Sequence, residues 1–332
     1  MAEESKKLAL LRILHILLHY TDEKHPLKQE EIVEYLEKDY GIVVERKVVG
    51  RQLALLHEAF EEPNSPIVLI SDRRKGTYVE QREFEDTELR LLIDGVLSSK
   101  HITAKHSKDL IEKLCRQSNR YFRSHVKNVY SVSDWNKTDN SAVFLNIELI
   151  DEAIERGLQL RFVYNKYGPD KKLHQSSHPR VSPYQLILHA QRYYLMARHE
   201  RFEDMHFYRL DRITDMEIVE DKGLTPVRYV KGYESGIDYK KLSTALPYMY
   251  SDNPEYVEFW VEEWAIDHVI DWFGKGVKIE NVDGRYKASV LVSPMAMEFW
   301  ALQYVRSVEI ISPKSLRDRV RDALEKGMEK YR

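Results

Sequence analysis

Arginines and tyrosines interleave through the middle of the chain in a pattern suited to holding an anion that carries flat rings. From 161 to 212 the cations are Arg161, Lys166, Lys171, Lys172, Arg180, Arg192, Arg198, Arg201, Arg209 and Arg212. They outnumber the carboxylates, Asp170, Glu200, Glu203, Asp204 and Asp211, although the net charge of the whole chain is -3. Tyr164, Tyr167, Tyr184, Tyr193, Tyr194 and Tyr208 lie among them, as do His174, His178, His189, His199 and His206. Guanidinium groups supply attraction, and each base stacked on a ring adds roughly 1–3 kcal/mol. A nucleotide or a short single-stranded nucleic acid offers both the charge and the rings. In the alternative reading the tyrosines are core and the cations are solvated surface. For one triplet, strand alternation separates the two. Tyr193 and Leu195 share a face and are expected in the core, which turns Tyr194 toward a ligand.

A second cationic set lies near the start of the chain. Arg46, Lys47, Gly50 and Arg51 fall at i, i+1, i+4 and i+5, one face of a helix, with Gln52 adjacent. Val49, Leu53 and Leu56 point the other way. A helix that reads duplex DNA needs cations and hydrogen bonders opposite an apolar stripe. Glycine inside a helix costs about 1 kcal/mol relative to alanine, and close approach of a phosphate backbone is the motive assigned to Gly50. Arg73, Arg74 and Lys75 form a third cluster suited to phosphates or the minor groove. Each cluster alone also fits a solvated face.

The elements around these clusters strengthen the DNA reading. Helices are expected over 6–20, with Leu10, Leu11, Leu14, Leu17 and Leu18 on one face, and from just after Pro26-Leu27 to a stop at Gly41, with Ile32, Leu36 and Tyr40 at spacing four. A third helix spans 45–60. Short β runs at 67–70 and 77–79 then flank Arg73–Lys75. Three helices followed by a hairpin is the order of a winged helix-turn-helix, assigned to 1–82.

Leu89, Leu92, Ile93, Val96 and Leu97 mark one connector helix, and Leu110, Ile111, Leu114 and Cys115 another, within a connector and linker over 83–140. Residues 131–141 are polar and turn-rich. The second domain, 141–222, opens with a helix over 148–157. An alternating strand follows, with Leu160, Phe162 and Tyr164 on one side, then hairpin-like runs at 181–198 and 205–219. Residues 223–254, rich in Gly and Pro, read as a crossing segment. The remainder, 255–332, gives β-α-β-β-α-β-α, a ferredoxin-like order.

Composition excludes several classes. A whole-chain polycation is ruled out by the net charge, so nucleic-acid binding must be local. Cys115 is the only cysteine, which rules out an internal disulfide framework and a cysteine zinc cluster; its place in an apolar helical pattern makes it a core residue. No P-loop, GxSxG, HExxH or paired-cysteine motif occurs. Asp267, His268 and Asp271 fit a solvated helix face better than a metal site. No enzymatic activity and no cofactor are expected. The first twenty residues open acidic and are interrupted by Arg12, His15 and His19, unlike a signal peptide. No run reaches the ~20 apolar residues of a membrane span, so a cytoplasmic protein without membrane partners is expected.

Two motifs carry a family resemblance. Residues 180–218 read RVSPYQLILHAQRYYLMARHERFEDMHFYRLDRITDMEI. Tyr193-Tyr194-Leu195 and Tyr208-Arg209-Leu210-Asp211-Arg212-Ile213 within it closely resemble the WYL domain, a small SH3-like β-barrel that serves as a ligand sensor on bacterial transcription regulators. The 255–332 segment resembles the extension that often follows such domains. The resemblance implies an α+β multidomain chain: a winged helix-turn-helix, a central SH3-like β-barrel and a C-terminal ferredoxin-like α/β unit that dimerises. It implies a ligand basin lined by Tyr194, by Arg180, Ser182 and Tyr184, and by Arg209 and Arg212, with Arg198 near in the same strand. Asp211 is expected to hold a neighbouring arginine. Three positions depart from the family. Tyr193 stands where it has Trp. Arg51-Gln52 stands for Arg-Asp. His206 stands where many members carry Arg, and would make affinity vary near neutral pH if it lined the basin.

The expected protein is a homodimeric, ligand-responsive repressor. Its partners would be double-stranded promoter DNA and a nucleotide or single-stranded nucleic-acid effector. The alternative is a nucleic-acid-binding accessory protein of phage defence that does not act on transcription.

Overall fold

The computed structural model describes residues 2–122, 137–239, 252 and 254–332. Residues 131–136 of the expected linker, and 240–251 and 253 of the expected crossing segment, lie outside the described residues. The chain divides into two compact units, 1–139 and 140–332.

In the first unit α1 (Ala2–Tyr20), α2 (Gln29–Tyr40) and α3 (Arg46–Phe60) precede a two-stranded antiparallel hairpin of β1 (Val68–Asp72) and β2 (Gly76–Gln81). The core joins Ile13, Ile16 and Leu17 of α1 to Ile32, Leu36, Val49, Leu53, Leu56, Leu69 and Val79. The deepest positions on α1 differ from the expected leucine stripe. Ile13 and Ile16 are fully buried, while Leu11 is 64% exposed. One helix packing against two neighbours buries a broader arc than a single stripe. Gly41 ends α2 in the left-handed conformation, φ 64°, and its N–H caps the Glu37 and Leu36 carbonyls.

Beyond the hairpin lie α4 (Asp86–Ser98) and α5 (Ala104–Cys115). They share a small core of Leu89, Ile93 and Phe122, against which half-buried Cys115 packs. Leu92, expected in the stripe, is exposed. The Arg120 N–H donates to the His19 carbonyl, which ties these helices to α1.

The second unit begins with α5's successor, α6 (Val143–Arg156), five residues earlier than expected. Val143, Asn146, Ile150 and Ala153 form one buried stripe, and the polar Asn146 interrupts the apolar signal. The strands are β3 (Leu158–Tyr167), β4 (Leu173–Ser177), β5 (Arg180–His189), β6 (Arg192–His199), β7 (Met205–Arg209) and β8 (Ile213–Gly223), with a 3-10 turn over Leu210–Arg212. They run in the order β4-β3-β5-β6-β7, and β8 pairs with β3. Because β3 pairs with three strands along its length, the sheet curls into a half-barrel. β4 was not expected: its residues are polar and nearly all exposed, so no alternation marks it. Leu160, Phe162, Val181, Leu195, Ala197 and Tyr208 pack beneath α6. On the other face of the sheet, Met196 and Met205 pack with Val230, from the segment after β8.

The last elements are β9 (Glu255–Val261), α7 (Ile266–Phe273), β10 (Lys278–Val282), β11 (Arg285–Val292), α8 (Pro294–Gln303), β12 (Val308–Ser312) and α9 (Lys314–Glu329). The antiparallel sheet has the order β10-β11-β9-β12. Phe259 and Val290 pack against Phe273, Trp300 and Leu316 from the helices. Asp283 and Gly284 both have positive φ, as a tight two-residue hairpin turn requires. Among the described residues no helix is long and apolar enough to cross a membrane.

Gly76 and Gly95 give opposite expectations for the same substitution. Gly76 has φ 121°, and an added Cβ would stand 2.5 Å from the Leu27 carbonyl oxygen, where Leu27 bridges Thr77. Gly95 lies inside α4 with nothing within 4 Å of an added Cβ. Gly76→Ala is expected to destabilise the first unit by about 2 kcal/mol or more. Gly95→Ala is expected to stabilise it by about 0.5–1 kcal/mol. Urea denaturation of both variants checks the pair.

Candidate functional site

On α3, Lys47 and Arg51 are exposed and make no ion pair among the described residues, while Gln52 is half-buried. Arg46 is engaged within its own unit: Nε donates to Gln29 Oε1 at 3.0 Å, and Nη1 lies 2.8 Å from Glu30 Oε1. Both partners of that ion pair are more than half exposed, so it is weak and can be exchanged for a phosphate. The motive assigned to Gly50 needs correction. An added Cβ would stand 3.2 Å from Gln29 Nε2, so the glycine makes room for the start of α2.

The wing holds Arg73, Arg74 and Lys75 exposed. Asp72 Oδ1 accepts the N–H groups of Arg74 (2.7 Å) and Lys75 (2.8 Å) and shapes the loop. Those N–H groups, Lys75's foremost, hold the Asp72 carboxyl below its usual range. The hairpin is fixed to α3 through His57 Nε2, 2.7 Å from Ser71 Oγ, which lies 2.8 Å from Thr77 Oγ1. The recognition-type helix face and the wing cations are therefore presented from one packed unit.

In the second unit, alternation along β6 and β7 sorts the candidate residues. Cross-strand pairing puts Tyr194 opposite both Ile187 and Arg209. Arg192 and Tyr194 thus share a face with Arg209, away from the α6 core. Asp211, whose side chain is 1% exposed, joins the two arginines. Arg209 Nε donates to Asp211 Oδ1 (3.1 Å) and Nη2 to Oδ2 (2.7 Å), and Arg192 Nη1 donates to Oδ2 (2.7 Å). Burial works against the Arg209 charge, but its double hydrogen bond to Asp211 wins and its pKa rises. Arg192 makes one such bond, so burial and the adjacent Arg209 cation lower its pKa despite Asp211. Burial raises the Tyr194 pKa, opposed by these two arginines. Arg212 lies with its guanidinium carbon 5.9 Å from the centroid of the exposed Tyr167 ring. Its Nε is buried without a hydrogen-bond partner among the described residues. Arg192 feels the Tyr167 hydroxyl as well as that of Tyr194, which places all these groups in one electrostatic neighbourhood.

The other expected basin residues have different surroundings. Ser182 Oγ accepts the Thr225 N–H at 2.9 Å, and the Tyr184 hydroxyl donates to the Thr225 carbonyl at 2.7 Å. Arg198 Nη1 lies 3.4 Å from Thr225 Oγ1. These three hold the segment after β8 instead of lining an open basin. Burial pushes the Tyr184 hydroxyl up to about 12. Arg180, seven residues along β5 from the neighbour of Tyr194, is on the order of 20 Å away along the strand, and its Nη1 is 3.7 Å from Glu200. His206 pairs with Ala197 on the core-facing side, stacked on Phe202 (5.5 Å) and near His199 (6.1 Å). It does not join Tyr194 and Arg209. Sequence reasoning missed Arg192 and Tyr167 as site members. Arg192 was accessible to it, two residues before Tyr194 on the same strand face.

The open part of the site can attract an anion and stack a ring. Two arginines, Arg192 and Arg209, share the buried Asp211 carboxylate, and Arg212 lies over Tyr167, leaving positive charge beside two half-buried or exposed tyrosines. Arg209 Nη1 makes no hydrogen bond among the described residues and is free to donate.

Fold and site together define a mixed α/β protein with a three-helix-and-hairpin unit that exposes two local basic clusters and an arginine–tyrosine site on a curled sheet. Residues 146–218 match the WYL domain and residues 253–328 the WCX domain. The chain carries a WYL domain followed by a WCX domain. Tyr167, Arg192, Tyr194, Arg209, Asp211 and Arg212 all lie within the WYL match. No curated protein matches the chain. Among solved structures it is similar to proteasome accessory factor B/C (PafBC) of Arthrobacter aurescens, at 17% identity and TM-score 0.29, over 97% of this chain and 48% of that one. The chain thus spans about half the length of that protein. It is also similar to a CRISPR Cas-related protein, at 16% identity and TM-score 0.39, over 99% of this chain and 84% of the other.

Asp211→Asn removes the charge that two part-buried arginines share. Such unpairing costs about 3 kcal/mol or more, and urea denaturation is expected to show a loss of that size. A histidine sets a pH dependence. Burial and the nearby His206 lower the His199 pKa below 6.5. The unfolded chain then binds the proton more readily, so this contribution is intact above pH 6.5 and is lost as pH falls below it. His199→Gln is expected to lessen the drop in melting temperature between pH 7.5 and 5.5.

Proposed function

We propose that this chain is a DNA-binding transcription regulator, a homodimeric repressor whose WYL domain senses a nucleotide or short single-stranded nucleic acid. The observation that carries the sensor reading is the buried Asp211, which fixes Arg192 and Arg209 beside Tyr194. A rigid cation pair next to a stackable ring suits a phosphate followed by a base. On this reading the curled sheet is the SH3-like barrel of the family, and the C-terminal sheet and helices are the ferredoxin-like dimerisation unit.

The winged helix-turn-helix would bind promoter DNA through Arg46, Lys47 and Arg51 on α3 and through the wing cations Arg73, Arg74 and Lys75. Arg46 would exchange Glu30 for a phosphate. In a homodimer two such helices would meet half-sites about 34–36 Å apart, or a multiple of that. The effector acts by binding one dimer arrangement better than the other, and it shifts promoter affinity by that difference. The reading assigns the chain no catalytic step and no cofactor.

Two double variants separate the sites. Arg46→Ala with Arg51→Ala is expected to weaken promoter-duplex binding roughly tenfold or more and to flatten its salt dependence, while oligonucleotide binding persists. Arg209→Ala with Tyr194→Ala is expected to do the reverse, with Arg192 still available to pair Asp211. Fluorescence anisotropy with a labelled duplex and a labelled oligonucleotide measures both. Loss of both activities in both variants would contradict two independent sites. Oligonucleotide binding with no preference for promoter over random duplex would favour the accessory-protein reading.

A further inference from the structure

In the first unit a cleft of about 540 Å³ opens between the last turn of α1 and the end of α5. His19 and Tyr20 form its α1 wall; Arg116, Asn119 and Arg120 belong to the other. None of these residues is part of the α3 face, the wing or the WYL match. The second wall is built on buried polar groups. Ser118 and Asn119 are only 4% and 6% exposed. Ser118 Oγ donates to Asp86 Oδ1 at 2.7 Å. Asn119 Oδ1 accepts the N–H groups of Tyr121 (2.8 Å) and Phe122 (3.1 Å), and Nδ2 donates to Asp22 Oδ2 (3.3 Å). A side chain that bonds the backbone two residues on fixes the turn. That turn carries Arg120, whose own N–H reaches the His19 carbonyl at 2.9 Å.

Charge around the cleft is unbalanced. Arg116 and Arg120 are exposed, and neither makes an ion pair among the described residues. The Arg120 guanidinium carbon lies 5.3 Å from the Tyr20 ring centroid and 5.7 Å from that of Tyr121, so rings and not a carboxylate hold it. Glu112 is the one carboxylate among the described lining residues. Burial, the His15 ring and the Arg120 cation lower the His19 pKa against the pull of Asp39. Positive potential therefore prevails at the α1 wall, and an anion would relieve it. The rings are already engaged. Tyr20 stacks on Tyr35 at 4.2 Å and meets His19 edge-on at 4.7 Å, while His25 stacks on Tyr121 at 3.7 Å. The cleft thus offers donors to charge, and no open ring to a base.

We propose that this cleft binds a small, multiply charged oxyanion, a phosphate ester or a polycarboxylate, between the guanidinium groups of Arg116 and Arg120 and the His19 ring. Planar guanidinium forks take phosphate and carboxylate oxygens alike, so the oxyanion is the shared chemistry. The occupant bridges α1 and the turn after α5, and adds to the His19–Arg120 backbone hydrogen bond. It thereby stiffens the joint between the three-helix-and-hairpin module and the connector helices. The site is separate from the arginine–tyrosine site of the WYL domain and stands whether or not the sensor reading does.

Cys115, the only cysteine of the chain, lines the same cleft half-buried and reports its occupancy. Alkylation of the full chain by iodoacetamide, a neutral reagent, is followed by mass spectrometry while inorganic pyrophosphate or citrate is titrated at constant ionic strength. Saturable slowing is expected, by roughly fivefold or more with the anion at about ten times its Kd. Protection by pyrophosphate alone would place the ligand among phosphate esters, and by citrate alone among polycarboxylates. Arg116→Gln with Arg120→Gln, both exposed, is expected to keep the native circular dichroism spectrum and lose the protection. Lys113→Gln, an exposed neighbour outside the described lining, is expected to keep it. No saturable slowing by either anion would overturn the proposal. So would equal protection in the double arginine variant, or its loss in Lys113→Gln.

Discussion

A carboxylate with almost none of its surface in water stays charged only if cations reach it, and Asp211 is reached by two. This constraint organises the WYL domain. The Asp211 side chain clamps β6 through Arg192 and the end of β7 through Arg209. Its backbone carbonyl accepts from Asn140 Nδ2, and the next strand begins at Ile213, whose carbonyl accepts from both Asn140 and Asn146. One short turn therefore fixes two arginines on one side of the sheet and the start of α6 on the other. Removing both partners for apolar groups would cost little, so stability alone does not explain a paired charge here. On the proposed reading, a fixed cation pair beside Tyr194 for an anionic effector would give it a use.

The first unit presents its cations differently. Among the described residues nothing buried holds Lys47, Arg51 or the wing arginines; the positions come from the backbone. The apolar stripe of α3 sets the orientation of its polar face, and Asp72 and Gly76 set the wing loop. Such exposed cations are solvated until a polyanion arrives, and their attraction is correspondingly sensitive to salt. On the proposed reading the WYL site, with its pre-paired arginines, would depend less on counterions and more on shape.

Much of this was legible in the sequence where a single periodicity governed. The stripe Val49, Leu53 and Leu56, the stop at Gly41 and the turn at Asp283-Gly284 follow from local rules. Tyr194 and Arg209, both named from the sequence, are cross-strand neighbours on β6 and β7. His206 lies on the other face, and the information was present: it is three positions from Arg209, an odd offset, and a strand sends such residues to opposite faces. β4 was hidden because an exposed polar strand has no alternation. The roles of Gly50, Ser182, Tyr184 and Arg198 were hidden for another reason. Each is decided by a partner distant in sequence, Gln29 in the first case and Thr225 in the others, and no local pattern announces such a partner.

The central claim is that occupancy of the WYL site changes how the chain binds duplex DNA. The most direct measurement is fluorescence anisotropy of a labelled duplex from upstream of the gene, at two salt concentrations, with and without a saturating short single-stranded oligonucleotide. The account predicts salt-sensitive duplex binding whose affinity shifts when the oligonucleotide is present. Superimposable duplex isotherms, with the oligonucleotide shown to be bound, would contradict it.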